Sequence, residues 1–299
     1  MRHGRVTVPV GEVATVVTAE LRLLGPPSLT TAGRPARLHS AKALALLAYL
    51  ALEADTPHSR AKLAGLLWGE SPDAQARHGL RQVLYSLRRA LGNLKDCLVL
   101  EEETVVFEPH PDFWVDALEF LTLAAVDSKD LGALRRAAQL YQGMLLEGLE
   151  LPGCPAFDEW LFFQRDGLEQ QALGVLQALV DGLLRQGNCP EALGFAQRLV
   201  TLDPLHEGAH RCLMQIHAAL GDRDGVRRQY RLCADVLAHE MGIEPAAETQ
   251  ALFHQLIAAR PGPTVSPERP PTPRLGEQSL ALPFLGRQRE LATLQARLN

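Results

Sequence analysis

Apolar and polar positions change their period along this chain, and the changes divide it. Residues 17–38, VTAELRLLGPPSLTTAGRPARL, mix β-branched residues and leucines with GPP and AGRP punctuation, which predicts short antiparallel strands joined by tight turns. A helical period then sets in. SAKALALLAYLALEAD (40–55) predicts a largely buried helix with Ser40 as its N-cap, and SRAKLAGLLWG (59–69) a shorter one that starts on a serine and ends on a glycine. SPDAQARHGLRQVLYSLRRALG (71–92) predicts a third, with Ser71 as cap, Pro72 in the first helical position and Gly92 at the end. CLVLEEETVVFEP (97–109) places two β-rich apolar runs around an acidic centre, the pattern of a hairpin. Strands, two short helices, a long third helix and a closing hairpin form the outline of a winged helix, in which the third helix is offered to the DNA major groove.

From about residue 113 to 259 the pattern is helical throughout. Two similar segments have their turns at Gly187 and Gly221, 34 residues apart, the period of tetratricopeptide helix pairs. Ala192 and Val226 correspond at that offset, as do Ala196 and Tyr230, and Pro204 falls where such a repeat closes. SKDLGALRRAAQLYQ (128–142) looks like a second helix of the same kind but is out of register with the spacing. RPGPTVSPERPPTP (260–273) reads as a stiff linker. LPFLGRQRELATLQARLN (282–299) restarts an amphipathic pattern. The expected fold class is therefore mainly α with a small β component: an N-terminal extension (1–16), a winged helix (17–110), a helical-repeat domain (111–259), a Pro-rich linker (260–280) and a final segment (281–299).

Drawn at 100° per residue, the third helix carries Leu80, Val83, Leu84, Leu87 and Leu91 on one stripe. Arg77, His78, Arg81, Gln82, Tyr85, Arg88 and Arg89 fill the opposite face. Between Ala74 and Lys95 there are five Lys+Arg and no acid. An ordinary exposed helix mixes both signs and gains i,i+4 pairs. Arginines left facing one another are relieved by a polyanion. A planar guanidinium reads guanine N7 and O6 or clamps a phosphate, glutamine bonds adenine, and the Tyr85 ring suits a phosphate or a thymine methyl. A basic helical face is on its own often just a solvated one. The place of this face, third in the winged-helix order, favours the DNA reading. The hairpin centre, Glu101, Glu102 and Glu103, runs against it, since a wing entering the minor groove should be basic. Either the wing only supports the third helix, or Lys95 makes the phosphate contact instead.

Charge adds an asymmetry. The 299 residues carry a net charge of −5, but residues 1–110 hold 13 Lys+Arg against 11 Asp+Glu, and the remainder 17 against 24. The halves therefore face different partners, or only one of them faces a polyanion. Hydrophobic residues make up 46% of the chain, enough for a sizeable core, and aromatics only 5%, which favours helices over a large sheet. The five cysteines, Cys97, Cys154, Cys189, Cys212 and Cys233, are odd in number and contain no C-x-x-C pair. They read as free thiols of a reducing compartment. No signal-peptide h-region and no apolar run of membrane-spanning length is present, so a cytoplasmic protein is expected.

Four stretches together resemble the SARP-type (antibiotic regulatory protein) transcriptional activators of bacteria: LRLLGPPSLTTAGRPARL, SRAKLAGLLWGESPDAQARHGLRQVLYSLRRALG, LYQGMLLEGLELPGCPAFDEWLFFQR and LAHEMGIEPAAETQALFHQLI. The resemblance spans about residues 19 to 259. It implies an OmpR-like winged helix joined to a bacterial transcriptional activator domain, sequence-specific binding of double-stranded DNA as side-by-side copies on promoter direct repeats, and contact with RNA polymerase. By position it puts Arg77, Arg81, Arg88 and Arg89 on the recognition helix. Ser86 departs from the pattern, since many relatives have arginine there, and so does the acidic hairpin. The segment after the linker resembles the lead-in to the ATPase module of large relatives. The phosphate-loop pattern that would follow is absent from these residues, so neither ATP nor any other cofactor is expected.

HEGAH (206–210) matches the H-E-x-x-H zinc-protease pattern. It follows TLDP, the close of one repeat, and opens the next repeat's first helix; Leu213 and Ile216 stand where a metzincin would continue its motif. No metal site and no enzyme are expected. Trp68, Trp114 and Trp160 read as core anchors. Two functions remain: a DNA-binding transcriptional activator, or a helical-repeat interaction module without specific DNA binding.

Overall fold

The computed structural model describes residues 18–125 and 130–258. The expected N-terminal strands are β1 (Ala19–Arg22), β2 (Ser28–Thr31) and β3 (Arg34–Pro35), antiparallel in sequence order. A fourth strand joins them from far along the chain. β7 (Phe113–Val115) lies parallel to β1, with Ala19 opposite Phe113, so the sheet order is β3-β2-β1-β7. Residues past position 110 thus complete the N-terminal sheet.

Two of the three expected serine caps form. Ser40 Oγ accepts from the Ala43 N–H at the start of α1 (Ala41–Leu52), and Ser59 Oγ accepts from Lys62 N–H at the start of α2 (Arg60–Trp68). Ser71 does not cap α3 (Asp73–Leu91): it is held back in a turn on the Trp68 carbonyl, and the extended Pro72 occupies the cap position without a side-chain bond. The Pro72 carbonyl accepts from Gln75 and Ala76 instead. Gly92 ends α3 with φ +56°, a backbone that a side chain rarely adopts. A 3-10 segment, Gly92–Cys97, then leads into the hairpin of β5 (Leu98–Leu100) and β6 (Thr104–Phe107). The short β4 (His58–Ser59) pairs with β6 and so fastens the hairpin to the entrance of α2. Leu80, Val83, Leu84, Leu87 and Leu91 are buried, as the stripe predicts, each contributing about 1.5–3 kcal/mol of apolar burial. Gly79 allows α2 and α3 to approach: a Cβ there would stand 2.8 Å from the Trp68 indole.

The rest is helical: α4 (Asp116–Ala124), α5 (Leu131–Leu140), α6 (Pro155–Arg185), α7 (Cys189–Leu202), α8 (Glu207–Ala219), α9 (Arg223–Glu240) and α10 (Ala247–Ala258). Gly187 and Gly221 have φ +73° and +76°, and each precedes a helix capped by a side chain, Asn188 for α7 and Asp222 for α9. The 34-residue repeat is therefore geometric, and Ala192 and Val226 are both fully buried. Among the described residues, no helix is long and apolar enough to cross a membrane.

The winged helix and the helical array share one body. The buried Asp116 accepts from the backbone N–H of Leu23 and Leu24 at 2.8 and 3.0 Å, and from Ala117 at 2.7 Å. The Leu146 N–H donates to the Leu23 carbonyl, and Leu24 bridges Leu145. Cys154 Sγ donates to the Leu67 carbonyl at 3.1 Å. The half-buried Trp160 of α6 lies on Tyr49 of α1, centroids 4.9 Å apart, and its indole N–H donates to Glu53. Trp160 is an anchor, as expected, between the two halves.

Two histidines are buried in this body. His58 packs edge-on against Tyr49, and its Nε2 has no hydrogen-bond partner among the described residues. His210 donates from Nε2 to the Pro204 carbonyl at 2.9 Å and accepts at Nδ1 from Gln229 at 2.7 Å, the pattern of a neutral ring. Burial pushes the pKa of both below the ordinary histidine value. The unfolded chain then binds protons that the fold rejects, so stability present above about pH 6.5 is lost as the pH falls toward the depressed values. The urea midpoint should drop between pH 7 and pH 5, and by less in His58→Phe, which keeps a ring against Tyr49 but takes no proton. A midpoint that stays flat over that range would contradict the neutral assignment.

Candidate nucleic-acid interface

The face expected to meet DNA is assembled by α3 and the 3-10 segment after it. Burying the leucine stripe turns the other side of α3 to solvent. Arg77, His78, Arg81, Gln82, Tyr85 and Arg89 are all exposed there, Tyr85 at 73%, while Arg88 is half-buried and Lys95 is exposed just past the helix end. Arg77, Arg81, Tyr85 and Arg88 follow one another at spacings of four, four and three, a single line along the helix. At 1.5 Å per residue it runs about 16 Å. Gln82 Nε2 is 2.9 Å from His78 Nε2, which holds the Gln82 amide in place.

Acids flank this surface. Arg77 pairs with Asp73 at 3.6 Å and Arg88 with Asp96 at 3.2 Å, so the helix does not leave every arginine unpaired, as the acid-free run from Ala74 to Lys95 suggests. Both partners sit just outside that run. Such exposed pairs are worth about 0–1 kcal/mol and are readily given up to a stronger anion. Among the described residues, the side chains of Arg81, Arg89 and Lys95 have no ion pair or hydrogen bond.

Arg60 was not singled out by sequence reasoning and belongs to the same surface. It opens α2, and its Nε and Nη2 donate to the Glu101 carbonyl at 3.1 and 2.9 Å. Its own N–H donates to the Glu103 carbonyl at 2.9 Å. The available signal was its place: in a winged helix the entrance of the second helix borders the wing, and a long donor there has no apolar face to join. Arg60, Ala61, Ala74, Arg77, Leu80 and Arg81 line an open cleft of about 740 Å³ together with Glu102 and Glu103.

The zinc-like motif has other work. His206 caps α8 by accepting from the Ala209 N–H at Nδ1. Glu207 accepts from Ala246 N–H and Thr249 Oγ1, tying α10 to α8, and both His210 nitrogens are taken. The final segment, 281–299, with its expected ATPase lead-in, lies outside the described residues, as do residues 1–16 and the linker.

The fold is thus a winged helix with its basic third helix at the surface, backed by a helical-repeat array. Residues 122–257 match the family model of the bacterial transcriptional activator domain. The chain is similar to the transcriptional regulator RedD of Streptomyces coelicolor, 26% identical over 263 residues that make up 81% of this chain and 71% of RedD. It is similar to the regulatory protein AfsR of the same organism, 27% identical over 80% of this chain and 24% of AfsR. It also resembles the transcriptional regulatory protein MoaR1 of Mycobacterium tuberculosis, 26% identical over 83% and 82%. Among solved structures, Mycobacterium tuberculosis EmbR in complex with a low affinity phosphopeptide superposes with a TM-score of 0.63 at 20% identity, over 82% of this chain and 66% of EmbR. That likeness shows the fold. The chain thus spans about two thirds of EmbR and a quarter of AfsR.

Proposed function

We propose that this chain is a sequence-specific DNA-binding transcriptional activator that lays α3 in the major groove, and that it is not an enzyme. The observation that carries the reading is the line Arg77–Arg81–Tyr85–Arg88. It is a row of long polar side chains about 16 Å long, exposed except for the half-buried Arg88, on the outer side of α3 and within the less acidic part of the chain. Arg81 and Arg88 read base edges, Arg77, Arg89 and Lys95 hold phosphates, and His78, Gln82 and Tyr85 add polar and ring contacts. The names of RedD, AfsR and MoaR1 support a regulatory role.

The helical-repeat half is too acidic for direct DNA contact. Protomer pairing on promoter direct repeats and contact with RNA polymerase are its part of this reading. The observation that favours a protein-binding role is a pair of phenylalanines on α6, Phe162 and Phe163, 67% and 63% exposed.

The test is fluorescence anisotropy of the full chain on random-sequence and selected duplexes over a salt series, beside Arg81→Ala and Arg88→Ala. Wild type should bind with an affinity that falls steeply with salt, and each substitution should cost about 1–3 kcal/mol on the selected duplex. Binding that is absent at low salt, or variants indistinguishable from wild type, would refute the recognition role of α3 and leave the interaction-module reading.

A further inference from the structure

The acidic wing tip is held in one place, and that place borders the cleft that Arg77 and Arg81 line. The turn from Glu101 to Thr104 closes through the Glu101 N–H to the Thr104 carbonyl at 3.0 Å. Thr104 Oγ1 donates to Glu101 Oε2 at 2.7 Å, which turns the Glu101 carboxylate back onto its own turn. Arg60 grips the tip from outside with both of its contacts to the Glu101 carbonyl and with its backbone bond to Glu103. β4 pairs with β6 right beside the turn, Ser59 opposite Thr104, and so fastens the tip from a second strand. Glu102 and Glu103 are left lining the same cleft as Arg77 and Arg81. Neither forms an ion pair or side-chain hydrogen bond among the described residues, so the two charges serve no internal structure.

We propose that Glu102 and Glu103 are a fixed counter-charge that limits how strongly the arginine face attracts any duplex. The inference rests on the DNA-binding reading of α3. Uniform attraction of arginines to phosphates supplies nearly all non-specific binding and carries no sequence information. Two carboxylates held beside that face repel the same phosphates, so the net pull on an arbitrary duplex falls. Contacts to base edges deeper on α3, at Arg81, Gln82, Tyr85 and Arg88, then carry a larger share of the binding. A mobile acidic loop would swing out of the way as DNA approached; a tip fastened by Arg60, β4 and Thr104 cannot. The wing that the fold offers to the minor groove thus acts here as a restraint on affinity.

The experiment is anisotropy of the full chain and of Glu102→Gln/Glu103→Gln on a random-sequence duplex, each across a salt series, with circular dichroism confirming the fold. Glutamine preserves the shape of both side chains, and Glu101, which bonds Thr104, is left alone. The double variant should bind about tenfold tighter at low salt, with the advantage shrinking as salt rises and the log–log salt slope steepening by about one to two. Should wild type bind and the variant match it in affinity and slope, the counter-charge is refuted while the arginine reading stands. A variant that binds where wild type does not would establish the restraint at its strongest. If neither binds even at low salt, the reading of α3 fails and the counter-charge falls with it.

Discussion

Asp116→Ala should destabilise the protein by about 3–5 kcal/mol. The side chain is 4% exposed and joins three backbone N–H groups from two distant places: Leu23 and Leu24 at the end of β1, and Ala117 in the first turn of α4. Alanine leaves the Leu23 and Leu24 donors buried without an acceptor, at about 1–3 kcal/mol each. Loss of the Ala117 bond frees one more N–H in the first turn of α4. Asp116→Asn keeps one acceptor oxygen and should lose roughly half as much, because its amide group then faces a second donor. Burial is the larger influence on the Asp116 carboxyl and raises its pKa despite the three donors. The folded state therefore takes up the proton more readily than the unfolded chain, and the residue's contribution falls as pH rises from about 3.9 through the raised value. Urea denaturation of both variants followed by circular dichroism measures the effect. A loss under about 1 kcal/mol for the alanine variant would show that water replaces the carboxylate.

Trp160→Ala should cost about 2–3 kcal/mol, somewhat less than truncation of a fully enclosed ring. Its indole touches Tyr49 and Phe157 and donates to Glu53, so the loss falls on the contact between α1 and α6. Trp160→Phe restores the ring contact without the N–H and should recover more than half of it. Thermal unfolding by circular dichroism separates the two variants from wild type. If alanine and phenylalanine behaved alike, the hydrogen bond to Glu53 rather than ring packing would be the main link.

Local signals were legible in the sequence and distant pairings were not. Ser40 and Ser59 could be assigned as caps because a cap lies within three residues of what it caps. The Leu80–Leu91 stripe likewise needs only the helical period, and the exposed arc of α3 follows from it. Gly187 and Gly221 were readable because a repeat compares the chain with itself. β7 was missed because its partner, β1, lies more than ninety residues earlier, and nothing in Phe113–Val115 names that partner. Arg60 was missed for the same reason: its acceptor is the Glu101 carbonyl, 41 residues on. Ser71 was misjudged because serine before proline matches the capping pattern, yet a competing bond to Trp68 holds it one residue short of the cap position. On the candidate site, residue types could be named in advance. The ion pairs from Asp73 and Asp96 could not, since both fall just outside the segment that drew attention.

The parallel pairing of β1 with β7 carries a consequence for placement along a duplex. β7 pairs with β1 and runs directly into α4, so the helical array grows out of the N-terminal sheet, with Asp116 at the junction. No slack linker separates the two. If α3 sits in a groove, the direction in which the array points is set by the rotational phase of that groove. Moving the site by half a helical turn, about 5 base pairs, would carry Phe162 and Phe163 to the opposite side of the DNA. On the DNA-binding proposal, the spacing of two sites would then count as an angle as much as a distance.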